Sequence, residues 1–153
     1  MRISAKTDYA IRAVIEMAAA GGDGRLVKAE AVADAQQIPL RFLLSILNEL
    51  RHAGIVDSRR GADGGYRLAK PAYAITIADV IRAIDGPLAN VGGIRPDALE
   101  LTGSAAPLQQ VWVSLRSSIR TVLEHVTIDD VVSGQLPRDV VELSRDRDAW
   151  QPH

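Results

Sequence analysis

The chain has 153 residues, 47% of them apolar, 24% charged and 4% aromatic, and it contains no cysteine. That size and balance fit one packed domain with an extension, its core built from Leu, Ile, Val and Ala. They exclude a disulfide framework, a thiol switch and any cysteine-held metal or cluster. The net charge of −1 hides an asymmetry. Residues 1–70 carry 11 Lys+Arg against 8 Asp+Glu (+3), residues 71–153 carry 7 against 11 (−4), and the two sum to −1. A basic half points to a polyanion partner. No apolar run reaches the roughly eighteen residues of a membrane span, and MRISAKTDYA lacks the apolar core of a signal peptide. The expectation is a cytoplasmic protein with no membrane partner.

In chain order, helix one is predicted over Ala5–Ala20, capped by Ser4, with Tyr9, Ala13, Val14 and Met17 inward and Gly21-Gly22 ending it. Leu26-Val27 reads as a short strand. Lys28–Ala35 reads as a second helix with Ala31, Val32 and Ala35 inward, and Gln36-Gln37-Ile38 as the turn after it. A third helix follows from Pro39, which suits a first helical turn, to Ala53. On it Phe42, Leu43, Ile46, Leu47 and Leu50 recur at three- and four-residue steps and share a face; Gly54 stops it. Residues 55–58 and 66–69 then flank the basic, glycine-rich Arg59–Gly65, which fits a hairpin tip. A short helix followed by a basic hairpin outlines a winged helix-turn-helix. Such a fold lays one helix in the major groove and sets the hairpin on the adjacent backbone or minor groove. Taken alone, the segment also fits a solvated hairpin in any small α+β domain.

Pro71 breaks the chain, and Thr76 with Asp79 reads as a capping box for helix four, Ile77–Asp85, closed by Gly86-Pro87. Leu88–Pro107 has no clear period. Its Leu88, Val91, Ile94, Leu99 and Leu101 are too apolar for a linker, so it is a functional or packed loop. The longest amphipathic helix follows, about Leu108 to Val126, with Leu108, Val111, Trp112, Leu115, Ile119, Val122 and Val126 on one stripe. The stripe can fill the domain's own core or pair with a second copy. The second is favoured, because the winged-helix unit already has a core and DNA readers of this size use two half-sites. Thr127 with Asp130 restarts a short helix ended by Gly134, and one more turn can follow Pro137. The expected organisation is a winged helix-turn-helix domain over residues 1–86, a loop and dimerisation helix over 87–134, and a polar tail over 135–153. The fold class is mainly α with a small β-hairpin wing.

Together, MRISAKTDYAIRA, IPLRFLLSILNELRHAGIV, SRRGADGGYRLAKP, ITIADVIRAIDGPL and the late Val-Trp followed by TIDDVV resemble the Rrf-type winged helix-turn-helix transcription regulators. This family includes iron–sulfur-cluster regulators, nitric-oxide sensors and cysteine-metabolism regulators. The resemblance runs in order from Met1 to Val132. It implies a homodimeric DNA-binding regulator, usually a repressor, crossed through the long helix. The departure concerns the cofactor. Cluster-binding members carry three cysteines in the loop after helix four, some with a histidine early in the long helix. This chain has Gly92 or Gly93 at the first cysteine, Ala106 at the third and Gln109 at the histidine. None of these supplies a thiolate or imidazole, so no cofactor is expected. Asp8 falls where the nitric-oxide sensor has an aspartate ligand; without cysteines its role is structural, at the start of helix one.

The groove face of helix three offers Arg41, Leu44, Ser45, Asn48 and Arg51. Arg41, near the N-terminus, is placed for a bidentate contact to guanine, and Ser45 and Asn48 for base edges or phosphates. The resemblance puts an acidic base-reading residue at Leu44 in the cluster regulator. Here Leu44 either packs on a thymine methyl or lies toward the core. The wing supplies Arg59, Arg60, Gly64, Gly65 and Tyr66, with Arg60 matching the family's minor-groove arginine. Arg2, Lys6 and Lys28 stand at element starts, where phosphate contacts set register. The expected partners are a double-stranded DNA operator, a second copy of the chain, and a small-molecule or protein effector at Leu88–Pro107; a packed spacer is the other reading of that loop. His52, His125 and His153 form no metal pattern, and no phosphate-loop or nucleophile signature occurs, so an enzyme is not expected. A winged-helix protein-interaction module that works through its acidic half remains the alternative. Steep salt dependence of DNA binding discriminates the two.

Overall fold

The computed structural model describes residues 3–21 and 24–152, so Arg2 lies outside the described residues, as do Gly22 and His153. Helices α1 (Ala5–Ala20), α2 (Ala29–Gln36) and α3 (Leu40–His52) lead into the hairpin β1 (Val56–Arg59) and β2 (Gly65–Leu68). Then come α4 (Ile77–Asp85), the long α5 (Leu108–Leu123), α6 (Ile128–Ser133) and α7 (Arg138–Ser144).

The core is formed where α1, α2 and α3 cross and the hairpin and α4 close over them. Ala10, Ala13, Val14 and Met17 of α1 meet Val32 of α2 and Leu43, Ile46, Leu47 and Leu50 of α3. Ser4 caps α1 as expected, accepting from the Thr7 N–H at 3.1 Å. Thr7 itself is buried, and its hydroxyl donates to Asp85 at 2.5 Å, tying the end of α4 to the start of α1. A buried hydroxyl needs such a partner.

Five expectations shift. On α2 the inward residues are Ala29, Val32 and Ala33, whereas Ala31 and Ala35 are exposed. Alanines on every side give a helix no apolar contrast, so Val32 alone sets its rotation. On α3 Phe42 is 39% exposed; the stripe closes without it, and its ring meets Tyr9 edge-on at 5.8 Å. Pro39 is the residue before the first helical turn, not within it. The strands begin one residue earlier or later than expected, pairing Val56 with Leu68 and Arg59 with Gly65, because the Ile55 N–H is already bonded to the Leu50 carbonyl at 2.9 Å. Gly54, at φ 71°, makes the left-handed turn between them. Leu26-Val27 contributes a single bridge, Val27 to Tyr66, rather than a strand.

The largest difference concerns the end of α5. The helix stops at Leu123, and Val126 is 6% exposed inside the first core, not on the outer stripe. Two capping boxes explain this. Thr76 with Asp79 and Thr127 with Asp130 both form as expected, and the two threonines pair antiparallel. The Ile77 N–H donates to the Val126 carbonyl and the Ile128 N–H to the Ile75 carbonyl, both at 2.9 Å. This joint pulls α6 onto α1 and buries Ile128 completely. Ile128 of α6 thus joins the core formed by α1 to α4 and the hairpin.

Between α4 and α5 the chain is folded rather than loose. Leu88 is buried, Val91 bridges Ile94, and single 3-10 turns form at Pro96–Ala98 and Gly103–Ala105. The Gln109 side chain donates to the carbonyls of Leu99 (2.8 Å) and Pro96 (3.4 Å), and Arg116 pairs with Asp97 at 2.6 Å. Asp97 also pairs with Arg95, whose hydrogen bond holds its carboxyl below the usual range. After Pro137, α7 makes about two turns instead of one. Trp150 is 74% exposed, its indole N–H on the Ser144 carbonyl at 2.6 Å.

Candidate nucleic-acid interface

The sequence places helix three, a tight turn and a basic hairpin in succession, and folding leaves a cleft between them. Its volume is about 470 Å³, and its walls come from α3 (Leu44, Asn48, Arg51), the wing (Ser58–Gly61, Gly64–Tyr66) and the start of α2 (Lys28–Glu30). Four cationic side chains, Lys28, Arg51, Arg59 and Arg60, face one carboxylate, Glu30. Such a concave, positively charged surface attracts a polyanion.

Leu44 is 43% exposed and lines the cleft, so it faces outward and not into the core. Arg51 donates to Asn48 Oδ1 at 2.9 Å, which leaves the Asn48 NH₂ to donate outward. Arg41 and Ser45 are exposed on the same helix beyond the cleft. Lys6 is elsewhere: its ammonium pairs with Glu49 at 2.7 Å, joining α1 to α3.

The wing geometry depends on two glycines. A Cβ on Gly64 would collide with the Arg59 carbonyl oxygen, and one on Gly65 would stand 2.6 Å from the Val27 carbonyl oxygen. A side chain at Gly64 would deform the hairpin's own tip, and one at Gly65 would push the hairpin off Val27. Sequence reasoning missed Ala29, Glu30, Ser58 and Gly61 as cleft residues. Only Glu30 has chemistry to notice, and an acid in a helix's first turn is common because the helix dipole favours it.

The predicted pairing stripe divides. Leu108, Val111 and Leu115 are exposed, whereas Trp112, Ile119 and Val122 are half-buried, and no residue of α5 is fully buried. An apolar recess of about 240 Å³ opens between Ala89–Val91 and Trp112 and Leu115. At the far end Glu124 joins Arg120 (3.0 Å) and Arg82, and these hydrogen bonds lower its pKa. Asp8 is paired with Arg12 at 3.2 Å. Among the described residues no helix is long and apolar enough to cross a membrane.

The Rrf2 family, described as iron-dependent transcriptional regulators, matches residues 3–134. An HTH-type transcriptional regulator of Mycobacterium tuberculosis, Rv1287, is 48% identical over 146 residues, covering 95% of this chain and 90% of that protein. The HTH-type transcriptional regulator CymR of Bacillus subtilis is 33% identical over 133 residues, covering 87% and 91%. The solved structure of CymR, titled the global cysteine regulator of B. subtilis, superposes with a TM-score of 0.74 at 30% identity, covering 88% of this chain and 98% of that one. T. potens IscR gives 0.69 at 27% identity, covering 93% and 96%. The iron in the family's description does not fit this chain as an iron–sulfur cluster. The chain has no cysteine, and no group of three or more His, Asp or Glu side chains comes together among the described residues. Winged-helix architecture, family match and relatives agree: this chain is a member of the Rrf2 family of transcriptional regulators, which are not enzymes.

Proposed function

We propose that the protein is a homodimeric, sequence-specific DNA-binding repressor of the cytoplasm that works without an iron–sulfur cluster. The single observation that carries this reading is the cationic cleft shared by α3 and the wing. In it α3 enters the major groove. Arg41 contacts guanine, Asn48 and Ser45 contact base edges or phosphates, and Leu44 packs on a thymine methyl. Arg59 and Arg60 follow the flanking minor groove, where a narrow, A·T-rich stretch concentrates negative potential. Arg51 lies along the phosphate path, Lys28 stands at its edge, and Lys6, held by Glu49, contributes less.

The dimer forms through Leu108, Val111, Trp112, Leu115, Ile119 and Val122 of two α5 helices, since one copy leaves that helix without a buried residue. An effector acts at Leu88–Pro107, and the apolar recess beside Trp112 suits a small apolar ligand or a protruding side chain of a partner protein. The test is footprinting of the purified protein on its own upstream region, with affinity followed over a range of salt. A protected palindrome whose log affinity falls linearly with log salt supports the reading. Absence of retention on any DNA at low salt would point to a protein-interaction module instead.

A further inference from the structure

Lys28 is the first residue before α2, and its backbone is extended, with φ −73° and ψ 141°. A lysine has no acceptor with which to cap the helix, so its side chain is free to reach elsewhere. It crosses the cleft: Nζ donates to the Ala62 carbonyl oxygen at 2.5 Å. Ala62 is inside the wing-tip turn, which the Gly64 N–H closes on the Gly61 carbonyl at 3.0 Å. A mid-turn carbonyl has no partner in the strand ladder, and the ammonium supplies one. The neighbouring residue fixes the other end of the same contact. Val27 and Tyr66 exchange backbone hydrogen bonds, Val27 N–H to the Tyr66 carbonyl at 2.7 Å and Tyr66 N–H to the Val27 carbonyl at 2.8 Å. Gly65 has no side chain where it passes Val27. The wing is therefore held by backbone at Tyr66, one residue into β2 from the turn, and at its tip by one ammonium.

A two-stranded hairpin is marginal by itself in water. Between these two holds, after the Ser58–Tyr66 rung and before Ala62, lie Arg59 and Arg60, and their position over the cleft depends on where the tip is held. We infer that Lys28 is a positioning residue, a latch that sets the wing's angle to α3 and acts on DNA through Arg59 and Arg60 rather than through a phosphate of its own. This deepens the DNA-binding reading and rests on it for its consequence, but the latch itself belongs to the free protein.

Two measurements on Lys28→Met, which keeps the aliphatic stem and removes the donors, decide the matter. Lys28 is exposed, so the melting temperature should hold. In the DNA-free protein, hydrogen exchange of the Gly64 amide should accelerate about tenfold, with the α1 and α3 core amides unchanged. An unaltered Gly64 rate would end the latch. On a duplex carrying the footprinted site, Lys28→Met should weaken binding roughly tenfold, about the worth of one hydrogen bond to a charged group. In an Arg59→Ala/Arg60→Ala background the same substitution should cost almost nothing further. Additive losses would mean a direct DNA contact and would overturn the proposal. Should the unaltered protein bind no DNA, the DNA-binding reading fails, and the exchange measurement still decides whether the latch exists.

Discussion

The α3–wing region and the α5 region are built on opposite terms. The first is finished within one chain: its core residues are buried, and its cationic residues line a cleft whose shape the backbone fixes. The second has a helix of 16 residues, as long as α1, and not one fully buried residue on it. It is held to the rest by a loop strap through Gln109 and Arg116 and by ion pairs at Glu124. Exposed apolar surface of this kind supports the proposed pairing through α5. A reader of DNA needs a rigid surface in advance, while a region that joins copies or receives a signal gains its last contacts from outside the chain.

The hardest test of that contrast places charges on the unfinished side. Leu115→Glu with Ile119→Glu should give monomers by light scattering and weaken operator binding more than about a hundredfold, because one half-site forfeits the linked second contact. The folded core should survive. A double variant that remains dimeric would move the interface off α5. The next largest effect belongs to the joint between the regions. Ile128→Ala opens a cavity in a fully buried position and should cost about 2–5 kcal/mol of stability in thermal or urea unfolding. A loss below about 1 kcal/mol would mean that α6 is peripheral to the core, contrary to its packing.

What the sequence made legible follows the same division. Leu43, Ile46, Leu47 and Leu50 contrast sharply with the polar residues between them, and the two Thr-x-x-Asp boxes carry local hydrogen bonds, so helix starts and faces were readable. The basic glycine run could only be a turn. Features that depend on distant partners were not readable. Val126 looked like one more residue of the α5 stripe, and only its pairing with Ile77 takes it into the core. Gln109 occupies the position of the family's histidine, and it is a strap on Leu99. Lys28 looked like any basic residue at an element start, since nothing nearby in the sequence announces Ala62 as its acceptor. Leu44 was undecidable because it falls at the margin of the apolar stripe, where a few degrees of rotation settle its side.

Within the finished side, the two classes of arginine should separate. Arg60→Ala should weaken operator binding by about 1–3 kcal/mol with the fold unchanged. Arg41→Ala should cost a similar amount and also relax the preference at one base pair. Equal losses for Arg41→Ala on operator and random duplexes would reduce that residue to a phosphate contact.

The smallest effect, and the one that distinguishes the regions by pH, concerns Asp130. The Thr127 N–H and hydroxyl donate to its carboxylate at 2.8 and 2.7 Å, and the backbone bond is the larger cause of its lowered pKa. Asp97 and Glu124, held by arginines, are lowered too, and all three lie in the α5 region or at its joint. A carboxylate whose pKa is lower folded than unfolded stabilises the fold fully above its unfolded value, about 4. That contribution is lost as pH falls through the folded value, where the native state must also take up the proton. The wild-type protein should therefore melt above Asp130→Asn at pH 6 by a small margin, and the margin should shrink steadily below about pH 4. The α6 and loop amides should lose exchange protection in the same acid range before those of α1 and α3. A margin between the two melting curves that stays constant down to about pH 2.5 would show that the capping carboxylate contributes no charge-dependent stability.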